Sequence, residues 1–215
     1  MKKIAVLGSG PVGQALADGF LKHGFDVVRG TREPAKLAEW KAGAGAKAGV
    51  ATFAEAASGA DLVVLAVKGD AAESVVDLAG AGNLAGKTVI DTTNPIANVP
   101  PTNGVLHFTT TLEDSMMERL QRRVPAAKFV KAFSCVGNTY MVNPQLPGGP
   151  PTMFICGNDA GAKAEVKEIL VRFGWDIEDL GAVEAARAIE PLCILWCLPG
   201  FVQNHWTHAL KLLRA

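Results

Sequence analysis

Apolar residues in this chain come in short bursts separated by amphipathic stretches, and that rhythm is the first guide to its elements. Lys3–Leu7 and Asp26–Arg29 read as strands, with Val12–Lys22 as the helix between them. Pro34–Ala44 reads as a helix, residues 49–52 as a short strand and Ala54–Ser58 as a short helix. The run Leu62-Val63-Val64-Leu65-Ala66-Val67 is apolar at every position, as expected of a parallel strand covered on both faces. Ala71–Ala79 follows as a helix and Thr88–Asp91 as a strand. Strands alternating with helices predict right-handed βαβ units and a doubly wound, mostly parallel α/β sheet.

Beyond Asp91 the pattern loosens. Residues 95–112, with Pro95, Pro100, Pro101 and Gly104, read as a long surface loop, and loops of that length in compact domains tend to be functional. Ser115 and Glu118 form an S-x-x-E capping box that opens a helix to about Arg123. Strands are expected at Phe129–Phe133, Thr152–Cys156 and Trp175–Leu180, with a helix over Asp159–Phe173. The tail from Ala182 reads as helical to its end, broken at Pro199-Gly200. The expected organisation is therefore a nucleotide-binding domain over 1–181, including extra C-terminal strands, and a helical lobe over 182–215.

Composition narrows the function classes. The chain has 215 residues, 21 basic and 21 acidic side chains, and 49% hydrophobic residues. One domain of this size buries ~70% of its unfolded surface and needs no staple. Zero net charge argues against nucleic acid or a membrane surface as a partner, since both reward a basic excess. The start resembles a signal peptide, but Gly8, Gly10, Pro11 and Gly13 interrupt its apolar run. The most apolar stretch, Leu192 to Val202, falls short of the ~20 residues that span a bilayer. Four cysteines in apolar surroundings without CxxC spacing suggest buried thiols in a reducing cytoplasm.

The strongest chemical signal is Gly8-Ser9-Gly10-Pro11-Val12-Gly13, placed between the first strand and the first helix. Its first glycine permits a tight turn, its second lets a backbone approach a pyrophosphate, and its third lets helix pack on strand. The helix N-terminus then offers N–H groups and a positive dipole end to phosphate. At the end of the second strand, where a site for NAD usually places a carboxylate, stand Gly30-Thr31-Arg32, with Lys36 one turn later. A hydroxyl, a guanidinium and an ammonium suit the 2′-phosphate of NADP(H), Glu33 being expected to point outward.

Ala66-Val67-Lys68 and Asn94-Pro95 follow the next two strands and should flank the ribose and nicotinamide, since ligands lie outside the carboxyl ends of such sheets. No Ser–His–Asp, HExxH or paired-carboxylate arrangement stands out. His107 sits in the long loop, and His205/His208 and Cys193/Cys197 lack further ligands at metal-binding spacing. The chemistry expected is hydride transfer between bound carriers, for which a protein supplies alignment and exclusion of water.

Taken together, these motifs resemble the NADPH-dependent reductases of the deazaflavin coenzyme F420, a family also found as the cytosolic domain of certain membrane ferric reductases. The resemblance runs through Lys3 to Gly8, Gly30-Thr31-Arg32 with Lys36, Leu65-Ala66-Val67 and Thr93-Asn94-Pro95-Ile96. It continues through Ser115 to Gln121, Lys131-Ala132-Phe133 through Val136-Gly137, Cys156-Gly157-Asn158-Asp159, Ala186-Arg187, Glu190-Pro191-Leu192 and Leu195-Trp196. It implies a Rossmann core with NADP at the sheet's C-terminal edge and a second substrate in a cleft against the C-terminal portion. By position it implicates the glycine loop, Thr31, Arg32 and Lys36 in NADP binding, and Ala66, Val67, Asn94 and the Ala132–Phe133 strand end at the nicotinamide.

The resemblance also places Arg187 near the acceptor cleft. Arg187 and Glu190 alone read as an i,i+3 ion pair on a helix, either orienting Arg187 or only stabilising the helix. The chain departs from many relatives at Ser134-Cys135, where an asparagine–threonine pair is common, and at Met116-Met117. Both departures border the expected acceptor site and make Cys135 a second candidate there. Three readings follow: a reductase of coenzyme F420, a reductase of another acceptor such as a flavin, quinone or ferric chelate, or a non-enzymatic NADP-binding redox sensor. Pyrroline-carboxylate reductases and hydroxyacid dehydrogenases carry a long helical second domain that the roughly 35 residues after the last expected strand do not provide. The apolar 191–202 stretch, with Trp196 and Phe201, reads either as the interface of a homodimer or as a segment packed on its own sheet.

Overall fold

The computed structural model describes residues 2–214. Its main strands are β1 (Lys3–Leu7), β2 (Asp26–Thr31), β3 (Ala48–Thr52), β4 (Leu62–Leu65), β5 (Thr88–Asp91) and β6 (Lys128–Lys131). All five pairings are parallel, and the strand order is β3-β2-β1-β4-β5-β6. The order reverses between β1 and β4, so the carboxyl ends of those two strands form the crevice of a doubly wound Rossmann sheet.

The helices are α1 (Pro11–Lys22), α2 (Ala38–Gly43), α3 (Phe53–Ser58), α4 (Gly69–Ala79), α5 (Ala81–Leu84), α6 (Met116–Arg123), α7 (Ala160–Arg172), α8 (Ala186–Ile189) and α9 (Leu192–Gln203). Both sheet faces are covered, which explains the unbroken apolar strands. Ile4 and Val6 of β1 pack with Leu16, Phe20 and Phe173 on one side. Ala5 and Leu7 pack with Val76, Leu84 and Leu120 on the other. Pro34–Leu37 forms a 3-10 turn ahead of α2, so the helix expected over Pro34–Ala44 divides in two.

The extra strands expected in the second half form a sheet of their own, and two other expectations there need correction. The extra strands β7 (Thr152–Ile155) and β8 (Asp176–Asp179) pair with each other as a separate parallel sheet. The antiparallel bridge Lys131–Cys156 links the end of β7 to β6. The strand expected to reach Phe133 stops at Lys131, because Phe133 takes a left-handed φ of 63°. The tail is helical only as far as Gln203.

Pro199 does not break α9, and Gly200 serves packing: a Cβ there would lie 2.3 Å from the Trp206 ring. The helix ends where Asn204 turns left-handed, φ 54°. The chain then folds back without regular structure. His208 stacks on Trp196 at 5.0 Å, Trp196 Nε1 donates to His208 O, and Thr152 N donates to Leu210 O. Because Pro199 is accommodated, Val183–Gln203 is long and apolar enough to cross a membrane by length and composition alone. Its Arg187 and Glu190 are instead paired with the core, as described below.

Candidate active site

The glycine loop leaves β1 under tight steric control. Gly8 has φ 152°, and a Cβ there would stand 2.0 Å from Ala66 O. A Cβ on Gly13 would stand 2.5 Å from Gly8 O. These two glycines are therefore demanded by the protein itself. Gly10 is different: its φ of −78° is open to any residue, and a Cβ there would meet nothing within 4 Å. Its open outer side leaves room for a ligand to lie against the loop.

The N-terminus of α1 points at the same space. No side chain caps it and no acidic residue stands in its first turn. By contrast, Thr52, Ser115 and Asp159 cap α3, α6 and α7. The N–H groups of Val12 and Gly13 are thus available to an anion. Beneath the loop lies a residue that strand periodicity did not single out. Arg29 of β2 is fully buried and its Nη2 reaches Gly8 O at 3.3 Å and Gly10 O at 3.4 Å. It stacks on Trp40 at 4.8 Å, and Trp40 Nε1 donates to Asp18. Burial lowers the Arg29 pKa, with Asp18 opposing.

The residues at the end of β2 sit together, with one correction. Thr31 is buried, while Arg32 and Lys36 are exposed. Glu33 does not point away: it pairs with Lys36 at 2.8 Å, because the 3-10 turn sets the two on one face. The hydrogen bond from Lys36 lowers the Glu33 pKa. Both partners are exposed, so the pair is a weak competitor to a phosphate dianion.

Further along the edge, Ala66 is buried, Val67 half-buried and Lys68 exposed at the start of α4. Asn94 is half-buried and Pro95 buried. Ala132 and Phe133 are buried in the core, so this strand end offers backbone rather than the side-chain lining expected of it. The long loop is partly ordered by the antiparallel bridge Ile96–Phe108, and His107 is occupied with Thr102 Oγ1 at 2.9 Å.

Next to Thr93, a charged node closes the edge. Lys131 is fully buried, and its Nζ lies 2.7 Å from Asp91, 2.8 Å from Glu190 and 2.8 Å from Thr93 O. Glu190 also accepts from the amides of Met116 and Met117 at the start of α6. Burial alone would lower the Lys131 pKa, but Asp91 and Glu190 outweigh it and raise it. The expected Arg187–Glu190 pair is therefore not formed. Arg187 instead grips Glu118 bidentately, Nε at 2.9 Å and Nη2 at 2.6 Å, and this lowers the Glu118 pKa. At the expected capping box, Ser115 Oγ accepts from Glu118 N and donates to the Glu118 carboxylate at 2.7 Å, so the glutamate bonds the cap hydroxyl as well as Arg187.

Arg187 borders a cavity of about 180 Å³ between the long loop and the C-terminal helices, lined also by Phe108, Leu112, Pro191 and Ile194. Cys135 does not reach it as a reactive group. It is buried with Cys193, Trp196 and Cys197, and burial pushes its thiol up to about 12, which leaves it protonated at neutral pH. A larger open cleft of about 810 Å³ lies beside the start of β6, lined by Gln121, Lys128 and Asp159 and also by Glu118, the partner of Arg187.

The sheet order and the glycine loop define a dinucleotide-binding protein of the Rossmann class. Residues 3–95 match the family described as NADP oxidoreductase, coenzyme F420-dependent. A solved structure from Arthrobacter sp. FB24, described as a candidate F420-dependent NADP reductase, is 36% identical, covers 100% of both chains and superposes with a TM-score of 0.93. The rat metalloreductase STEAP3 is 31% identical over 92% of this chain. The chain spans only 38% of that protein's length. An imine reductase from Streptomyces aurantiacus shares the fold at 20% identity and a TM-score of 0.66, covering 94% of this chain and 64% of that one. The chain belongs to the coenzyme F420-dependent NADP oxidoreductase family. Relatives in that family are described as NADP-dependent reductases.

Proposed function

We propose that this protein passes hydride between NADP(H), laid along the carboxyl edge of the sheet, and a planar redox acceptor held against the C-terminal helices. Coenzyme F420 is the prototype acceptor. The observation that carries the reading is Gly10, a glycine that neither backbone angle nor packing requires, set before an uncapped helix of 12 residues. The amides of Val12 and Gly13 would hold the pyrophosphate, with Gly8, Ser9 and Pro11 shaping the loop. Thr31, Arg32 and Lys36 would hold the 2′-phosphate, and Ala66, Val67, Lys68, Asn94 and Pro95 would border the ribose and nicotinamide.

NADPH, when bound, supplies the hydride. The chain's own contribution is alignment and dryness: Phe108, Leu112, Pro191 and Ile194 wall the neighbouring cavity with apolar surface. Arg187 supports that wall through Glu118 rather than gripping an acceptor. The free, buried cysteines fit a reducing cytoplasm. Leu195, Phe201 and Val202, exposed on α9, supply an apolar face for a homodimer.

The test is NADPH oxidation by the purified protein with coenzyme F420, a flavin, a quinone and a ferric chelate in turn. Turnover is expected with the deazaflavin. Tight NADPH binding with no turnover on any of the four would refute the planar-acceptor reading. Turnover on ferric chelate alone would replace it with the second reading, which the similarity to the rat metalloreductase favours.

A further inference from the structure

A cation buried beside the glycine loop stands without a full set of partners. Arg29 on β2 is 0% exposed, yet it forms no ion pair among the described residues, and its Nε and Nη1 have no hydrogen-bond partner there. Asp18 attracts it electrostatically, but the Asp18 carboxylate accepts from Trp40 Nε1 at 2.7 Å. Burying a charge so incompletely paired costs stability. Arg29 lies opposite Val6 in the register of β1 and β2, and an apolar residue at its position would join the core that holds Val6 and Val27. The guanidinium therefore calls for a cause outside packing.

The direction of its bonds supplies one. Arg29 Nη2 donates to Gly8 O at 3.3 Å and to Gly10 O at 3.4 Å. Across a trans peptide the C=O and the following N–H point to opposite sides. A Gly8 carbonyl held inward thus turns the Ser9 N–H outward. Ser9 is exposed, and its N–H makes no hydrogen bond among the described residues. Gly10 O also accepts from Gln14 N at 3.0 Å, the first bond of α1, so one guanidinium ties the loop to the start of the helix.

We infer that Arg29 is a positioning residue for the dinucleotide: it holds the Gly8 carbonyl inward so that the Ser9 amide faces the pyrophosphate, and its charge, acting through the loop, is balanced by those phosphates. This rests on the NADP reading above and adds a residue outside both the glycine loop and the Thr31–Lys36 cluster. Its reach differs from that of Arg32. Arg29 acts on the pyrophosphate, whereas Arg32 is assigned to the 2′-phosphate.

The experiment measures displacement of NADPH, read by its fluorescence, by NADP⁺ and by adenosine 2′-monophosphate, which lacks the pyrophosphate. Wild type, Arg29→Met and Arg29→Lys are compared at low and high salt, with melting temperatures alongside. Arg29→Met is expected to weaken NADP⁺ roughly 5- to 30-fold, the size of one charge–charge attraction across the loop at a protein-like dielectric. Adenosine 2′-monophosphate should bind it as it binds the wild type. Arg29→Lys, which keeps the charge, should recover part of the loss, and the gap between Arg29→Lys and Arg29→Met should narrow as salt rises. The melting temperature of Arg29→Met should hold or rise, because an incompletely paired buried cation is removed. If that variant does not fold, Arg29→Gln, neutral yet able to bond a carbonyl, takes its place with the same expectations. Unchanged NADP⁺ affinity would overturn the inference. So would equal weakening of both ligands, or a lysine no better than methionine, each of which marks a structural effect. A wild type that bound neither NADPH nor NADP⁺ would bring down the NADP reading itself, an outcome distinct from these.

Discussion

Replacing Lys131 by methionine tests whether the buried node is an assembled unit. The side chain of methionine fills much of the same volume, so the perturbation is mainly electrostatic. It removes an ammonium that donates to Thr93 O and lies 2.7 Å from Asp91 and 2.8 Å from Glu190. Two carboxylates no more than 1% exposed would then face each other without a cation. Breaking a buried pair in this way costs about 3–5 kcal/mol, a large part of the 5–15 kcal/mol typical of a whole domain.

Urea denaturation reads the loss directly. With a slope of about 3 kcal/mol/M, the midpoint should fall by roughly 1–1.7 M at unchanged slope. Adding Asp91→Asn should recover part of it, since a neutral cluster is far less costly than an unpaired charge. The folded-state pKa of Lys131 lies above the unfolded value of ~10.4. Its contribution is therefore complete at neutral pH and disappears only as pH rises beyond that value. A loss below about 1 kcal/mol for the single variant would refute the argument, because a dry, unpaired carboxylate cannot be that cheap.

Other outcomes follow from the site. Arg32→Ala should weaken NADPH roughly 10- to 150-fold if its phosphate contact supplies ~1.5–3 kcal/mol, while NADH is little affected; equal loss for both would sink the 2′-phosphate assignment. Gly10→Ala should keep the wild-type melting temperature yet lose dinucleotide affinity in a titration, whereas Gly8→Ala should lower the melting temperature, since its Cβ would strike Ala66 O. Cys135 and Cys156, both pushed up to about 12 chiefly by burial, should resist a thiol reagent at pH 8 until the protein is unfolded; rapid labelling of either would contradict their placement. Asp179 is raised by burial but more strongly lowered by Lys167 and Lys163, to about 2. Its depressed value adds stability that is present above ~3.9 and lost as pH falls toward 2, which carboxyl NMR titration would follow.

The half of the molecule built from local rules was legible in the chain. An apolar strand, three glycines and a helix place the loop from Gly8 to Gly13, and the unbroken run at Leu62–Val67 announces a strand buried on both faces. What escaped was determined by partners distant in sequence. Arg29 looked like the ordinary end of a strand, and nothing nearby signals that it turns under the glycine loop and stacks on Trp40. Glu190 lies one helical turn from Arg187, so the local pairing rule joined them; the fold sends one to Lys131 and the other to Glu118. Pro199-Gly200 resembled a helix breaker because the ring of Trp206, which needs that glycine, arrives only after the chain has turned back.

The contact between Glu190 and the start of α6 also orders events during synthesis. The amide of Met116 is satisfied by a carboxylate 74 residues further along the chain, and that same carboxylate neutralises Lys131. Strands β1 to β4 can pair as they emerge, in keeping with N-terminal segments folding first. The β5–β6 edge cannot reach its native, dry state until the C-terminal segment has left the ribosome and docked. The sheet margin beside the expected nicotinamide site is therefore the last part of the core to close, and a stalled or shortened chain would expose it.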